Sequence, residues 1–357
     1  MKFIHTSDLH IGSPLSSRLS AEKTRERKKE LLDSFSRLVD EAKRQKADAV
    51  IIAGDLFDSQ NVSKSTLDKV ITIIERATNI TFFYLSGNHE KSVIRSSVAE
   101  LPKNLKLFGE ERTYFDICGV RIAGRESTSA DMFSTLFCDG AIPTVLVLHG
   151  ELRDRCDRDG AIGRKDAAHL KCDYMALGHY HSYSEEKING RCTAVYCGTP
   201  EGRGFDETGE CGYVCVEIDE RGERHTFVPH ATRALHICRA DMTGVEDLYT
   251  AESVARAALA EAQRCDLVRL VLCGHRPPLA RYDIGAMKRF FENKFYYFEI
   301  VDETKLKINP SDYEHDRSLK GEFIWLVLSS PLTDEEKDTV IECGLYALMG
   351  EDIPGRD

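Results

Sequence analysis

Five apolar runs in the first half of the chain each end in a short polar motif, and this repetition constrains the fold more than any other feature. Asp8-Leu9-His10 follows Lys2–Ser7, Gly54-Asp55 follows Ala49–Ala53, and Gly87-Asn88-His89-Glu90 follows Phe82–Ser86. His149-Gly150 then follows Thr144–Leu148, and Gly178-His179-Tyr180-His181 follows Tyr174–Leu177. Runs that are apolar on both faces suit a central sheet covered by helices. Between them Leu31, Leu32, Phe35, Leu38, Val39 and Ala42 recur at helical spacing, as do Leu67, Val70, Ile71 and Ile74. The alternation predicts an α/β fold with a central sheet. In open α/β sheets ligands bind beyond the carboxyl ends of strands, so the five loops are expected to converge on one rim.

The residue types in those loops are the donors a pair of divalent ions requires. Carboxylate and amide oxygens mixed with neutral imidazoles suit Mn²⁺, Mg²⁺, Fe²⁺ or Zn²⁺, and a set without thiolates argues against a structural zinc finger. An aspartate can bridge two ions roughly 3.5–4 Å apart, the spacing at which a shared water is acidified and both oxygens of a phosphoryl displacement are stabilised. Asp55 is the expected bridge. Asp8 and His10, two apart on an extended segment, can serve one ion, and His179 and His181 can serve adjacent ions. A single D-x-H or G-H-x-H more often marks a surface turn; five motifs in order, each after a strand, point to one metal centre. His5, His169, His225, His230, His236, His275 and His315 match no motif and are expected on the surface or satisfied in the core.

The order DxH, GD, GNH[DE], HG, GHxH resembles that of the calcineurin-like metallophosphoesterases. Thr6-Ser7-Asp8-Leu9-His10-Ile11-Gly12 and Gly54-Asp55-Leu56-Phe57-Asp58 are similar to the SbcD/YhaO-type DNA-repair exonuclease branch. Tyr196-Cys197-Gly198-Thr199-Pro200-Glu201, followed by Gly212-Tyr213-Val214, resembles the segment by which those nucleases leave the catalytic domain. The likeness is specific over residues 1–220 and rests on architecture beyond. It implies a sheet-sandwich catalytic domain with a small α/β capping domain. One ion is then expected on Asp8, His10, Asp55 and His181, and the other on Asp55, Asn88, His149 and His179. Mn²⁺ is the expected metal, and His89 the general acid that protonates the leaving oxygen. Glu90 could orient an imidazole or stand as a solvated loop carboxylate; Asp58 is left out of the ligand set.

The same resemblance implies a two-metal DNA exonuclease acting in DNA repair, and leaves room for endonuclease activity on single strands. The expected partners are DNA, an SMC-like coiled-coil ATPase and a second copy of the chain, the homodimer formed through Ser63–Arg76 and Lys91–Glu100. A small-molecule phosphodiesterase would use the same seven ligands, and a non-catalytic architectural subunit of an ATPase complex is the other alternative.

At 357 residues the chain is long enough for two domains and an appendage. The pattern breaks near Pro229–Ala234, which suggests a metallophosphoesterase domain over 1–234, a capping and DNA-binding domain over 235–310, and a docking segment over 311–357. In the cap a strand at Leu235–Ala240, a helix at Ala251–Gln263, a strand at Leu267–Cys273, a helix through Ile284, Met287 and Phe291, and a strand at Tyr296–Val301 are expected. Its Arg276, Arg281, Lys288, Arg289 and Lys294 are candidate phosphate contacts or a solvated face. Arg18, Lys23, Arg25, Arg27, Lys28 and Lys29 follow a metal-binding loop, but Glu22, Glu26 and Glu30 interleave them, so paired charges on an exposed helix suit them equally.

Residues 311–357 hold 12 acidic and 4 basic groups and so carry most of the net charge of -11, leaving the rest nearly balanced for a polyanion. This segment combines the run Phe323–Leu328, which bears the only tryptophan, with a helix opened by the capping box Thr333-x-x-Glu336. Its Val340, Ile341, Leu345 and Leu348 can pack on their own domain or on a partner's helix. Several of the twelve cysteines, such as Cys172, Cys215 and Cys273, sit in apolar runs, and Cys192/Cys197 and Cys211/Cys215 lack C-x-x-C spacing, so buried reduced thiols are expected. No apolar run approaches the roughly 20 residues of a membrane span, and the start lacks a secretory signal pattern. A cytoplasmic protein with no membrane association is expected.

Overall fold

In a computed structural model the motif-bearing runs become central strands of two six-stranded sheets. The structure describes all residues except 16–18, 91–92, 99, 127–139, 220, 277–279, 281, 307–314 and 350–357. Arg18, Arg281, residues 311–314 and 350–357 of the expected docking segment, and residues 91, 92 and 99 of the expected dimer segment lie outside the described residues. The chain divides into two compact units, Met1–Leu235 and His236–Asp357.

The first unit contains β1 (Lys2–Thr6), β2 (Ala49–Ala53), β3 (Thr81–Leu85), β4 (Leu105–Leu107), β5 (Thr113–Ile117), β6 (Val120–Gly124) and β7 (Thr144–His149). It continues with β8 (Glu151–Arg153), β9 (Ala161–Gly163), β10 (Tyr174–Gly178), β11 (Ser184–Lys187), β12 (Thr193–Tyr196), β13 (Gly212–Asp219) and β14 (Gly222–Pro229). Its helices among the described residues are α1 (Ala21–Arg44), α2 (Lys64–Arg76) and the short α3 (Val93–Ser97) and α4 (Arg164–Ala167). One sheet runs β14-β13-β1-β2-β3-β4 and the other β11-β12-β10-β7-β6-β5. The motif-bearing strands are parallel within each sheet: β1 with β2, β2 with β3, β7 with β10. Their carboxyl ends therefore share one edge.

The period of two along a strand explains why these runs are apolar on both faces. In β2, Val50 and Ile52 pack with Phe35 and Leu38 of α1 and Val70 and Ile74 of α2. Ala49, Ile51 and Ala53 point the other way, into a core shared with Val145, Tyr174, Ala176 and Val195 of the second sheet. A third cluster, with Leu146, Leu148, Met175, Leu177, Cys172 and Cys192, covers that sheet's outer face. Strands β4 to β6, β8, β9, β11, β12 and β14 fall outside the strand expectations. The edge strand β11, Ser-Glu-Glu-Lys, is exposed throughout; its backbone pairs with β12, and its side chains bond His225 and Arg164. Such a strand carries no apolar signal.

In the second unit β15 (Leu235–Asp241), β16 (Leu267–Cys273) and β18 (Tyr297–Asp302) form a three-stranded sheet, with a two-residue pairing of β17 (His275–Arg276) and β19 (Lys305–Leu306) beside it. Helices α5 (Leu248–Ala258) and α6 (Ile284–Phe291) cover it through Ala251, Ala255, Met287 and Phe291, which meet Val268, Leu270 and Leu272. The run Phe323–Leu328 is helical, within α7 (Leu319–Leu328), and its Ile324 and Val327 pack on Ile341 and Leu345 of α8 (Asp334–Met349). The capping box is realised: Thr333 N donates to Glu336 Oε2 at 2.8 Å, and Glu336 N donates back to Thr333 Oγ1 at 3.4 Å. Arg276 is only 9% exposed and donates to the Tyr346 hydroxyl at 2.7 Å. It braces α8 within this unit, so the expectation of a phosphate contact at Arg276 is corrected. Among the described residues no helix is long and apolar enough to cross a membrane.

Candidate metal centre

The loops after β1, β2, β3, β7 and β10 interlock through the backbone. Asp8 N donates to Gly54 O at 3.0 Å, His10 N to Asp55 O at 2.9 Å, and Gly150 N to Gly178 O at 3.2 Å. The Asp8 carboxylate accepts from His179 N at 3.1 Å, and Asp55 Oδ1 from His89 N at 3.2 Å. Asp8, His10, Asp55 and His179 all have positive φ, at 53°, 45°, 51° and 110°. The expectation that Asp8 and His10 lie on an extended segment is therefore corrected: both are left-handed, a conformation that costs energy outside glycine and persists where surrounding bonds over-determine it.

Two glycines permit the close approach. A Cβ on Gly87 would lie 1.9 Å from Asp55 Oδ1, and one on Gly54, whose φ is +96°, would lie 2.1 Å from His149 Nδ1.

The donor atoms of Asp8, His10 and His181 all lie within 4.8 Å of one another, as do those of Asp8, Asp55 and His149. Asp55 Oδ2 stands between the groups, 3.8 Å from His10 Nε2 and 3.3 Å from His149 Nε2. The tautomers follow from the outer partners. His149 Nδ1 faces Ala53 O at 2.9 Å, and a carbonyl only accepts, so Nδ1 carries the proton and the buried Nε2 lone pair has no hydrogen-bond partner. His181 Nδ1 faces Glu207 Oε1 at 2.7 Å, which turns its Nε2 toward His10 Nε2 at 3.3 Å and Asp8 Oδ1 at 3.9 Å. Acceptors facing acceptors across such distances suit divalent cations.

Electrostatics agree. Burial, with Arg203 beside it, lowers the His10 ring to about 3, and burial lowers His179, so both remain neutral donors. Burial also opposes charge on His149, yet Asp55 and Asp8 raise it to about 9, so the Nε2 lone pair draws a cation strongly, a proton or a metal ion alike. Asp55, against its own burial, is held below the usual carboxylate range by His149. Asn88 is exposed between Gly87 and His89, both of which touch the Asp55 carboxylate. His89 is exposed with its ring 5.1 Å from that of His10, and its Nδ1 lies 3.1 Å from Asp58 O. That carbonyl accepts a hydrogen bond from Nδ1–H and leaves Nε2 as the ring nitrogen not engaged by it.

The profile of the family described as "Calcineurin-like phosphoesterase" matches residues 1–183. The chain belongs to that family. It is 25% identical over 315 residues to the uncharacterized metallophosphoesterase YhaO of Bacillus subtilis, covering 82% of this chain and 76% of that one. It is 26% identical over 267 residues to the DNA double-strand break repair protein Mre11 of Methanosarcina acetivorans, covering 70% of this chain and 42% of that protein. With Mre11 of Saccharolobus solfataricus it shares 26% identity over 237 residues, 60% of each. This chain thus spans less than two thirds of either Mre11 protein. As a calcineurin-like phosphoesterase it is a hydrolase of phosphoester bonds.

Several residues around this phosphoesterase site carried no local signal. Glu207 and Arg203 lie in the polar stretch after β12, which reads as an ordinary solvated loop. Arg203 pairs with Glu207 and, at 3.0 Å, with Asp58 Oδ1, and Asp58 Oδ1 lies 3.4 Å from His10 Nδ1. Burial works against charge on Glu207, but its bonds to His181 and Arg203 hold it at about 2. Glu90 orients no imidazole and meets no solvent. It is fully buried and accepts from Leu56 N at 2.7 Å and from Phe57 N, fastening the loop that carries Asp55. Arg27, one of the basic residues after the first motif, is buried and donates to Glu30, Glu201 and Gly202 O, so it braces α1 and does not face solvent.

Proposed function

We propose that this phosphoesterase is a two-metal DNA exonuclease, with endonuclease action on single strands as a second activity. The observation that carries the metal centre is the gathering of Asp8, His10, Asp55, His149 and His181 donors into two adjoining groups with the His149 Nε2 lone pair turned inward. Asp8, His10, Asp55 and His181 would hold one ion, and Asp55, Asn88, His149 and His179 the other, Mn²⁺ being the metal we expect. Bound there, the ions would activate water and neutralise charge developing on the phosphoryl group. Glu207 and Ala53 O fix which imidazole nitrogens face the site, and the left-handed backbone at Asp8 and Asp55 aims the carboxylates. His89 would protonate the departing sugar oxygen from Nε2.

The DNA assignment rests on likeness to proteins named for double-strand break repair. The near balance of charge outside the acidic tail favours it too. The chain would act as a homodimer and dock an SMC-like ATPase through α7, where Leu319, Trp325 and Leu326 are exposed. End-labelled duplex and single-stranded DNA, and a chromogenic phosphodiester, incubated with Mn²⁺ or with chelator, test the reading. Metal-dependent shortening of DNA from an end supports it; turnover of the small diester alone would make the chain a small-molecule phosphodiesterase. Co-purification with a coiled-coil ATPase without any cleavage would make it an architectural subunit.

A further inference from the structure

Cys172 and Cys192 stand at the foot of the segment that carries His179, Tyr180 and His181. Both side chains are 0% exposed, and their sulfur atoms lie 3.3 Å apart. The placement follows from the sheet. Cys172 comes two residues before β10 and Cys192 directly before β12, and these strands pair in parallel with Tyr174 opposite Thr193. Neighbouring strands lie about 4.8 Å apart, inside the roughly 4.4–6.8 Å range of Cα separation that a disulfide bridges.

The backbone on both sides is pinned. Asp173 accepts from Thr144 N at 2.8 Å and from Arg191 Nε at 2.6 Å, and Cys192 N donates to Asn189 Oδ1 at 2.8 Å. Closing the remaining gap between the sulfurs therefore asks for side-chain rotation and little backbone movement. The contact with Cys192, together with burial, pushes the Cys172 thiol well above its ordinary range, so the pair rests as thiols until the core opens.

We propose that Cys172 and Cys192 are a redox-modification site, at which a small-molecule disulfide converts the two thiols into an intrachain disulfide. One protein thiolate attacks the reagent and releases its first thiol; the second cysteine then displaces the reagent's other half from the mixed disulfide. One protein S–S bond forms, the reagent's S–S bond breaks, the two protein thiol protons leave on the two released thiols, and two electrons pass to the reagent. The crosslink encloses residues 172–192 and with them the two candidate ligands of the rim loop. By restricting the unfolded chain it stabilises the folded one.

The full chain is unfolded with reductant, then refolded in a mixture of oxidised and reduced glutathione, beside a sample kept reduced. Peptide mapping without reduction is expected to find Cys172 joined to Cys192. The thermal midpoint is expected to rise by roughly 5 °C or more and to return on adding dithiothreitol. Cys192→Ala, with Cys172→Ala as the second variant, is expected to lack both the linked peptide and the shift. Refolded protein in which both thiols are free, each carries glutathione, or either is joined to a different cysteine overturns the proposal, as does a linked form with a lower midpoint.

Discussion

The Nδ1 atom of His181 lies 2.7 Å from Oε1 of Glu207, a buried carboxylate from a different loop. The contact fixes the proton on Nδ1, presents Nε2 to the Asp8 and His10 side, and makes the ring a better donor. Glu207→Gln keeps the shape and removes the charge. Its affinity for Mn²⁺ is expected to fall roughly 10–100-fold, the usual effect of losing such an outer partner. Calorimetric titration measures it, and an unchanged affinity would show that Glu207 serves Arg203 alone.

His89 touches the site without belonging to either donor group. His89→Ala should retain its metal and lose roughly 10²–10⁴-fold in turnover of DNA, whose leaving oxygen needs a proton. With a p-nitrophenyl diester, whose leaving group departs unprotonated, the loss should be far smaller. Equal losses on the two substrates would remove the general-acid assignment.

Gly87 has no room for a side chain, because a Cβ would lie 1.9 Å from Asp55 Oδ1 and 2.5 Å from Asp55 N. Gly87→Ala must displace the Asp55 loop. Metal binding should be abolished and stability reduced by about 1–3 kcal/mol, read from metal content and denaturant unfolding.

His225 of β14 lies 2.6 Å from Glu223 and 2.7 Å from Glu185 of β11, so it links edge strands of the two sheets. Tyr183 also donates to Glu185, while the buried His5 nearby is lowered to about 3 by desolvation and stays neutral. The bond to Glu223, opposed by burial and aided by Glu185, raises the His225 pKa. A raised folded value means this stabilisation is complete below the unfolded pKa of about 6.5 and is lost as pH rises through the folded value. The wild-type advantage in thermal midpoint over His225→Gln should be largest near pH 6 and shrink toward pH 9. An advantage that does not vary with pH would contradict the ion pairs.

Much of this centre was legible because its information is local. Each of β1, β2, β3, β7 and β10 announces itself as an apolar run, and each is followed at once by the residues that reach the rim. Burial on both faces of β2 needs nothing beyond period two and two packed layers. The roles of Glu90, Arg203 and Glu207 were not legible, because a carboxylate in a polar loop looks the same whether it meets water or a histidine brought to it by another strand. Arg27 and Arg276 read as surface cations for the same reason, and both are buried against partners distant in sequence.

By itself the sequence determined the strand-and-motif alternation, the donor chemistry of the rim and the family, since these reside in residue types at short spacing. Only the tertiary structure decided the left-handed backbone at Asp8 and His10, the tautomers of His149 and His181, and the pairing of Cys172 with Cys192. Those depend on which strands become neighbours, and that is set by the packing of two sheets whose members lie far apart along the chain.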